Sequence, residues 1–303
     1  MKNTIFFDLL SQFEDLNIRA AIDYEKMNKF LISHHSTAIE GSSLTLEEVQ
    51  LLLAEGTTAQ GKPLNDHNMV KDHQAALEAL VAMAKRKEEI TPQFIQNISA
   101  MVMKTTGSVI SAAAGTFDSS KGDWRKLAVS VGTHYFISYQ KVEREVKELC
   151  AAINVQNKQV TTPLEVYDLA FDAHFGLVSI HPFADGNGRT SRLLMNYILA
   201  YHDLPLAVLY NEDKLQYYAV LKKNQEIDDP NYQEIRDFMY AQQIKYLSNE
   251  IKIFTEGLSA KSISKTFVQK TVRSAALQAV NNMPSPLENV ETQKQLKINH
   301  LSL

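Results

Sequence analysis

The chain has 303 residues, 45% hydrophobic and 22% charged, with 31 basic against 35 acidic side chains and a formal net charge of -4. That length fits one large domain or two ordinary ones with a real core. The slightly acidic balance speaks against nucleic acid as the main partner, because tracking phosphates needs a basic surplus. The single cysteine, Cys150, excludes an internal disulfide framework and a multi-cysteine zinc site, and its place in the helical pattern 146–153 reads as a buried thiol.

The opening Met-Lys-Asn-Thr-Ile-Phe-Phe-Asp carries an acid inside its short apolar run and lacks a small-residue cleavage site, unlike a signal peptide. No stretch approaches the ~20 apolar residues of a membrane span. The expected compartment is the cytoplasm, with no membrane partner. Helical periodicity dominates and predicts helices over 6–33, 45–55, 66–88, 92–105, 139–156, 163–180, 188–202, 212–226 and 230–256.

Within that order, Ser36-Thr-Ala-Ile-Glu40-Gly41 reads as a helix end, because Gly41 suits a stop and a new start follows at Thr45 with Glu48. Glu40 lies in a last helical turn, where the dipole disfavours an acid, so it needs a cationic partner or full solvation. From Gly107 to Gly132 the chain turns rich in Gly, Ser and Ala. There Leu127, Val129 and Val131 alternate like a half-buried strand, and Gly122-Asp123 offers a turn, which predicts a β-hairpin over about 117–131. The helix at 163–180 starts on Thr162, Pro163 and Glu165, and Val166, Leu169, Ala170, Ala173, Leu177 and Ile180 form its apolar stripe.

Between that helix and the next lies His181-Pro-Phe-Ala-Asp185-Gly186-Asn187-Gly188-Arg189, followed by Arg192. Gly186 and Gly188 let a backbone turn tightly and approach a ligand. The free N–H groups that open the following helix form an anion site together with its dipole. Arg189 and Arg192, three residues apart, suit one bound polyphosphate. Asp185 offers a hard oxygen of the kind Mg²⁺ takes, and His181 is a candidate general base with an ordinary pKa near neutrality. Together these residues specify phosphate chemistry. Phe183 reads as an apolar anchor for the loop. Tyr217, Tyr218 and Leu221 follow on the helix from 212, and after Gly257 the composition shifts to Ser, Lys, Gln and Asn, with Met283-Pro-Ser-Pro breaking any helix.

The run His181-Pro-Phe183-Ala-Asp185-Gly186-Asn187-Gly188-Arg189-x-x-Arg192 resembles, without departure, the signature of the Fic (Fic/Doc) family. The resemblance implies a mainly α fold, a Fic-type helical bundle with a small β-hairpin flap, and transfer of AMP from ATP to a target-protein hydroxyl. His181 would take the hydroxyl proton, and Asp185 would bind Mg²⁺ on the α- and β-phosphates. Gly186, Asn187 and Gly188 would hold the phosphates, with Arg189 and Arg192 at the β/γ end and Tyr218 and Leu221 beside adenine. Kinase-like Doc relatives carry Lys where this chain has Gly188, which favours AMP transfer over phosphate transfer. The flap, with Leu127, Val129 and Val131, would dock the target by strand addition.

Ser36-x-x-x-Glu40-Gly41 resembles the inhibitory motif of relatives whose inhibitory helix precedes the core. There the glutamate pairs with the second signature arginine, here Arg192, and fills the γ-phosphate's place. The resulting division is an inhibitory region at 1–60, a catalytic core at 61–257 and a partly flexible appendage at 258–303. Self-modification and a homo-oligomer are further expectations. Three rival functions remain at this point: removal of AMP or transfer of another phosphate moiety, a non-catalytic interaction module with a blocked site, and a metal hydrolase using His181 and Asp185.

Overall fold

The computed structural model describes residues 2–21, 23–132, 134–225 and 232–281, with the side chains of 4–21, 23–132, 134–225 and 232–257. Its helices are α1 (Lys2–Asp15), α2 (Tyr24–Ile39), α3 (Leu46–Glu55), α4 (Leu64–Lys85), α5 (Pro92–Val102), α6 (Val142–Asn157), α7 (Pro163–Ile180), α8 (Asn187–Tyr201), α9 (Lys214–Gln225) and α10 (Tyr232–Asn281). Two antiparallel pairs interrupt them, β1 (Val109–Ala112) with β2 (Gly115–Asp118) and β3 (Ser130–Val131) with β4 (His134–Tyr135). The fold is mainly α, as its residue patterns imply. Two compact units divide the chain, Met1–Glu250 and Ile251–Leu303. Among the described residues no helix is long and apolar enough to cross a membrane.

α8 is the centre of the first unit and packs on α7, α4 and α5. It is buried all round: Leu193, Leu194, Tyr197 and Ile198 are fully enclosed, and so are its polar members Asn187, Arg189, Thr190, Ser191 and Arg192. A helix without a solvent face has to find partners for its buried polar groups within the protein, and four donors of α8 (Arg189 Nε and Nη1, Thr190 Oγ1 and Arg192 Nη1) have none among the described residues. α7 begins on the full Thr162/Glu165 capping box with Pro163 in its first turn, and α3 repeats the box with Thr45 and Glu48. Leu44, Val49, Leu52 and Val70 form a small core that seats α3 on α4.

The structure differs from the periodicity in three places. The helix expected over 6–33 is broken between Asp15 and Tyr24, where Asn17 and Asp23 take left-handed backbones with φ of 50° and 64°. Asn and Asp tolerate that region because their short polar side chains bond locally. The apolar stripe continues across the break through Ile18, which hid it.

The hairpin expected over 117–131 is instead two hairpins, with the first at 109–118 and the second centred on Gly132. Gly122 makes no hairpin turn. It ends a short turn of helix with φ 72° and lies so close to α5 that a Cβ would overlap the Gln96 carbonyl. Leu127 and Val129 precede the β3 strand, and only Val131 of the three lies within it. Finally, α10 does not stop near Gly257 but runs to Asn281; the Met283-Pro-Ser-Pro break lies outside the described residues.

Candidate active site

The α7–α8 junction lines a cleft of about 390 Å³, walled by Glu40 of α2, by Val131, His134 and Phe136 of the second hairpin, and by Tyr217, Tyr218 and Leu221 of α9. His181 caps α7 in a left-handed backbone (φ 52°), which swings the chain back across the helix end. Its Nδ1 lies 3.2 Å from the Val178 carbonyl, so Nδ1 carries the proton and Nε2 is left as the basic nitrogen. The Phe136 ring stacks on the imidazole at 3.9 Å and 14°. Burial pushes the His181 pKa down to about 4, with Arg125 adding to the shift and Glu40 and Asp185 opposing it. The imidazole is therefore neutral at pH 7, the form a base requires.

The loop is closed from within. Asn187 Oδ1 accepts from Phe183 N and Asn187 Nδ2 donates to Phe183 O, both at 2.9 Å, so this side chain shapes the loop. Phe183 is buried and stacks on Trp124 at 5.1 Å, as an anchor should. Asp185 keeps a side chain 68% exposed on the cleft, where Oδ1 accepts from the Gly186 amide at 2.5 Å and sits 3.5 Å from Arg189 Nη2.

The two arginines part company. Arg189 turns into the protein with Nη2 3.3 Å from Met103 Sδ, and its Nε and Nη1 have no partner among the described residues. It does not line the cleft, whereas Arg192 does. Arg192 Nε donates to Ser36 Oγ at 2.9 Å, and Nη2 donates to Ser36 O at 2.8 Å and to Glu40 Oε1 at 2.6 Å. Burial pulls the guanidinium pKa down, but Glu40 and Tyr217 outweigh it and leave the charged form favoured.

Of the two outcomes its position left open, a cationic partner or solvation, Glu40 has the partner, Arg192. Gly41 follows with φ 103°, and the Tyr218 hydroxyl donates to the last α2 carbonyl, Ile39, at 2.9 Å. The end of α2 is held by Arg192 of α8 and Tyr218 of α9, which donate to the Ser36 and Ile39 carbonyls that a helix end leaves free.

The structure therefore brings Glu40, Val131, His181, Asp185, Gly186, Asn187, Gly188, Arg192, Tyr218 and Leu221 to one cleft, with Ser36 bonded behind it. It leaves Leu127, Val129 and Arg189 off the wall. Three contributors went unread in the sequence: Phe136, His134 and Arg125. None had a signal in the sequence: Arg125 sits among Asp118, Lys121, Asp123 and Lys126, and nothing sets it apart from them.

A helix–loop–helix cleft with a neutral histidine, one exposed carboxylate and a helix N-terminus has the chemistry to receive a phosphate group on an α-helical fold. Residues 89–199 match the profile described as the Fic/DOC family, and the chain belongs to that family. It is 32% identical over 217 residues to "Protein adenylyltransferase fic-1" of Caenorhabditis elegans, covering 71% of this chain and 40% of that protein. It is 31% identical over 202 residues to "Protein adenylyltransferase Fic" of Drosophila persimilis, covering 64% and 36%. The chain thus spans about two-fifths of the length of these curated relatives. Among solved structures, a Fic-domain-containing signaling protein from Bacteroides thetaiotaomicron superposes with a TM-score of 0.69 at 24% identity, over 83% of this chain and 98% of that one. Fic-1 from C. elegans (aa134 - 508) gives 0.64 at 24% identity, over 82% and 71%. Both show the same fold.

Proposed function

We propose that this protein transfers AMP from ATP to a hydroxyl side chain of a target protein and that its resting form is autoinhibited. The observation that carries the first half is the His181 arrangement: Nδ1 is committed to Val178, so the unprotonated Nε2 is the nitrogen available to a ligand in the cleft. The names of the aligned relatives, protein adenylyltransferases, support the same reading.

In this mechanism Nε2 accepts the proton of the target hydroxyl as its oxygen forms a bond to the α-phosphorus, and the bond to the pyrophosphate oxygen breaks. The Gly188 amide and its neighbours at the start of α8 bind and orient the phosphates, and positioning with charge neutralisation supplies most of the rate. Asp185 fits Mg²⁺, which needs only one or two protein carboxylates and fills its shell with phosphate oxygens and water; among the described residues no cluster of three acidic, His or Cys ligands exists that would suggest another metal. When bound, Mg²⁺ would neutralise phosphate charge. Tyr218 and Leu221 supply an apolar wall for adenine.

The second hairpin is the docking edge, with Val131 and Tyr135 exposed at 62% and 76%. Strand addition to such an edge needs only backbone donors and acceptors. Autoinhibition rests on Glu40: while its carboxylate holds Arg192 at 2.6 Å, that guanidinium is unavailable to the γ-phosphate, and a second anion is repelled.

The test uses a cell lysate with ATP labelled at the α- or the γ-phosphate and compares wild type, Glu40→Gly and His181→Ala. Label from the α-position should enter protein, rise at least tenfold in Glu40→Gly, and vanish in His181→Ala. Transfer of the γ-label, or transfer that survives His181→Ala, overturns the reaction; an unchanged rate in Glu40→Gly overturns the brake.

A further inference from the structure

Arg125 is 1% exposed, and its guanidinium is given wholly to backbone carbonyls. Nε donates to His181 O at 2.7 Å, Nη1 to Leu127 O at 2.9 Å and Nη2 to Ile137 O at 2.6 Å. Its own amide donates to Pro182 O at 3.0 Å. Leu127 and Ile137 are the two feet of the segment that carries β3 and β4, so one side chain closes that hairpin at its base and ties it to the residue that bears the candidate base.

A second tie comes from the returning limb. Phe136, whose amide donates to Val129 O at 3.2 Å, lays its ring on the His181 imidazole at 3.9 Å. Beside Arg125, Trp124 stacks on Phe183 and fixes the other side of the loop.

Burying a guanidinium without a carboxylate is costly, and no carboxylate pairs with Arg125 among the described residues. Packing alone would be served by leucine or methionine. What an arginine adds is a rigid fork of five donors that holds three carbonyls from separate segments in one plane; lysine has no such fork.

We propose that Arg125 and Phe136 are positioning residues that lock the β3–β4 docking edge and His181 into one unit, so that the register of a docked strand decides which hydroxyl reaches Nε2. A strand slipped by one residue presents its other face, so a fixed distance from edge to base selects one position of the target segment. Naming the hydroxyl rests on the transfer reaction above, while the mechanical coupling does not.

The experiment follows backbone exchange and the His181 imidazole signal in the full chain, without nucleotide, for wild type, Arg125→Lys and Phe136→Leu. With the fork gone, amides at 129–136 should exchange about tenfold faster while those of α4 and α8 keep wild-type rates, because a local opening has lost stability and the global one has not. The His181 ring signal should shift or broaden in the same variant. Phe136→Leu leaves the three Arg125 bonds in place and removes only the stack, so it gives the same readout should Arg125→Lys unfold. Hairpin exchange within twofold of wild type together with an unmoved His181 signal in the folded variants overturns the coupling. Mapping self-modified residues then tests register: one modified hydroxyl in wild type should spread to neighbouring hydroxyls in the variant, and an unchanged single site overturns that step. If no protein, wild type included, transfers label, the transfer reading falls while exchange and the His181 signal still decide the coupling.

Discussion

A side chain at position 188 would run into Glu40: a Cβ built on Gly188 overlaps Glu40 Oε1 and comes within 3.0 Å of Arg192 Nη1. The turn that opens α8 and the acid that ends α2 therefore compete for one small volume, the same volume a phosphate would need to reach the α8 amides.

The overlap makes Gly188→Ala a probe of the Glu40 carboxylate. Overpacking costs typically about 1–3 kcal/mol when the neighbour must move, and here the neighbour is a half-buried carboxylate bonded to the buried Arg192. Wild type should lose about that much in urea unfolding. In a Glu40→Gly background the same substitution should cost less than about 0.5 kcal/mol, since the alanine then meets only the tip of Arg192, a side-chain end freed from Glu40 and able to shift. Equal costs in the two backgrounds would mean that Glu40 does not occupy the site in solution.

Tyr218 has two roles that one pair of substitutions separates. Its hydroxyl ties α9 to the Ile39 carbonyl at 2.9 Å, and its ring lines the cleft. Tyr218→Phe keeps the ring and frees the end of α2, so Mg–ATP affinity measured by calorimetry should hold or rise about threefold, in line with one hydrogen bond of about 0.5–1.5 kcal/mol. Tyr218→Ala also removes the stacking surface, and affinity should fall at least about fivefold, since base–aromatic stacking is worth about 1–3 kcal/mol. A parallel loss in both variants would place the hydroxyl, not the ring, on the nucleotide.

Much of this site was legible because its residues are contiguous. His181 to Gly186 is one loop between two helices, the first marked by a capping box and the second by its glycine-flanked start, so residue type and spacing located it. Glu40 was legible through its fault, an acid at a helix C-terminus. Other features depended on what the chain packs against. Arg189 and Arg192 are spaced to share a face, yet α8 has no free face, so Arg189 turns to Met103 while Arg192 meets α2. The alternation of Leu127, Val129 and Val131 is real, but Arg125 takes the Leu127 carbonyl from any strand partner. Phe136 has no local pattern that would announce a stack on His181, and α10 continues through a composition that looked like a tail.

Acid should unfold the protein in a defined window. Burial pushes the pKa of His73 and His174 down to about 3, with Arg192 adding to each shift, and that of His181 to about 4. In the unfolded chain a histidine titrates near about 6.5. As pH falls from about 6.5 toward 4, the unfolded state binds protons that the fold refuses, and stability falls with it, by up to about 1.4 kcal/mol per unit for each histidine. Thermal midpoints should be level above pH 7 and drop steeply between pH 6 and 5. A His73→Gln, His174→Gln double variant that still folds should lose about half of that slope, since His181 and His35, which burial also lowers to about 4, remain; an unchanged slope would assign acid unfolding to other groups.

The catalytic rate should ignore the ordinary histidine range. A base whose pKa lies near 4 is unprotonated from pH 8 down to 6, so kcat/KM for AMP transfer should stay flat over that span where a solvated imidazole would lose about half its activity near 6.5. The flatness depends on Phe136, which covers the ring and keeps water from stabilising the imidazolium. Phe136→Ala exposes the ring, and the sign follows from the cause: removing desolvation raises the pKa toward its solution value. Its acid limb should therefore climb into the range of about 5.5–6.5. Stability falls over part of the same range, so initial rates taken after a brief pH jump from neutral solution, at matched occupancy, separate the limb from unfolding. A variant profile superimposable on wild type would show that burial by Phe136 does not set the protonation of His181.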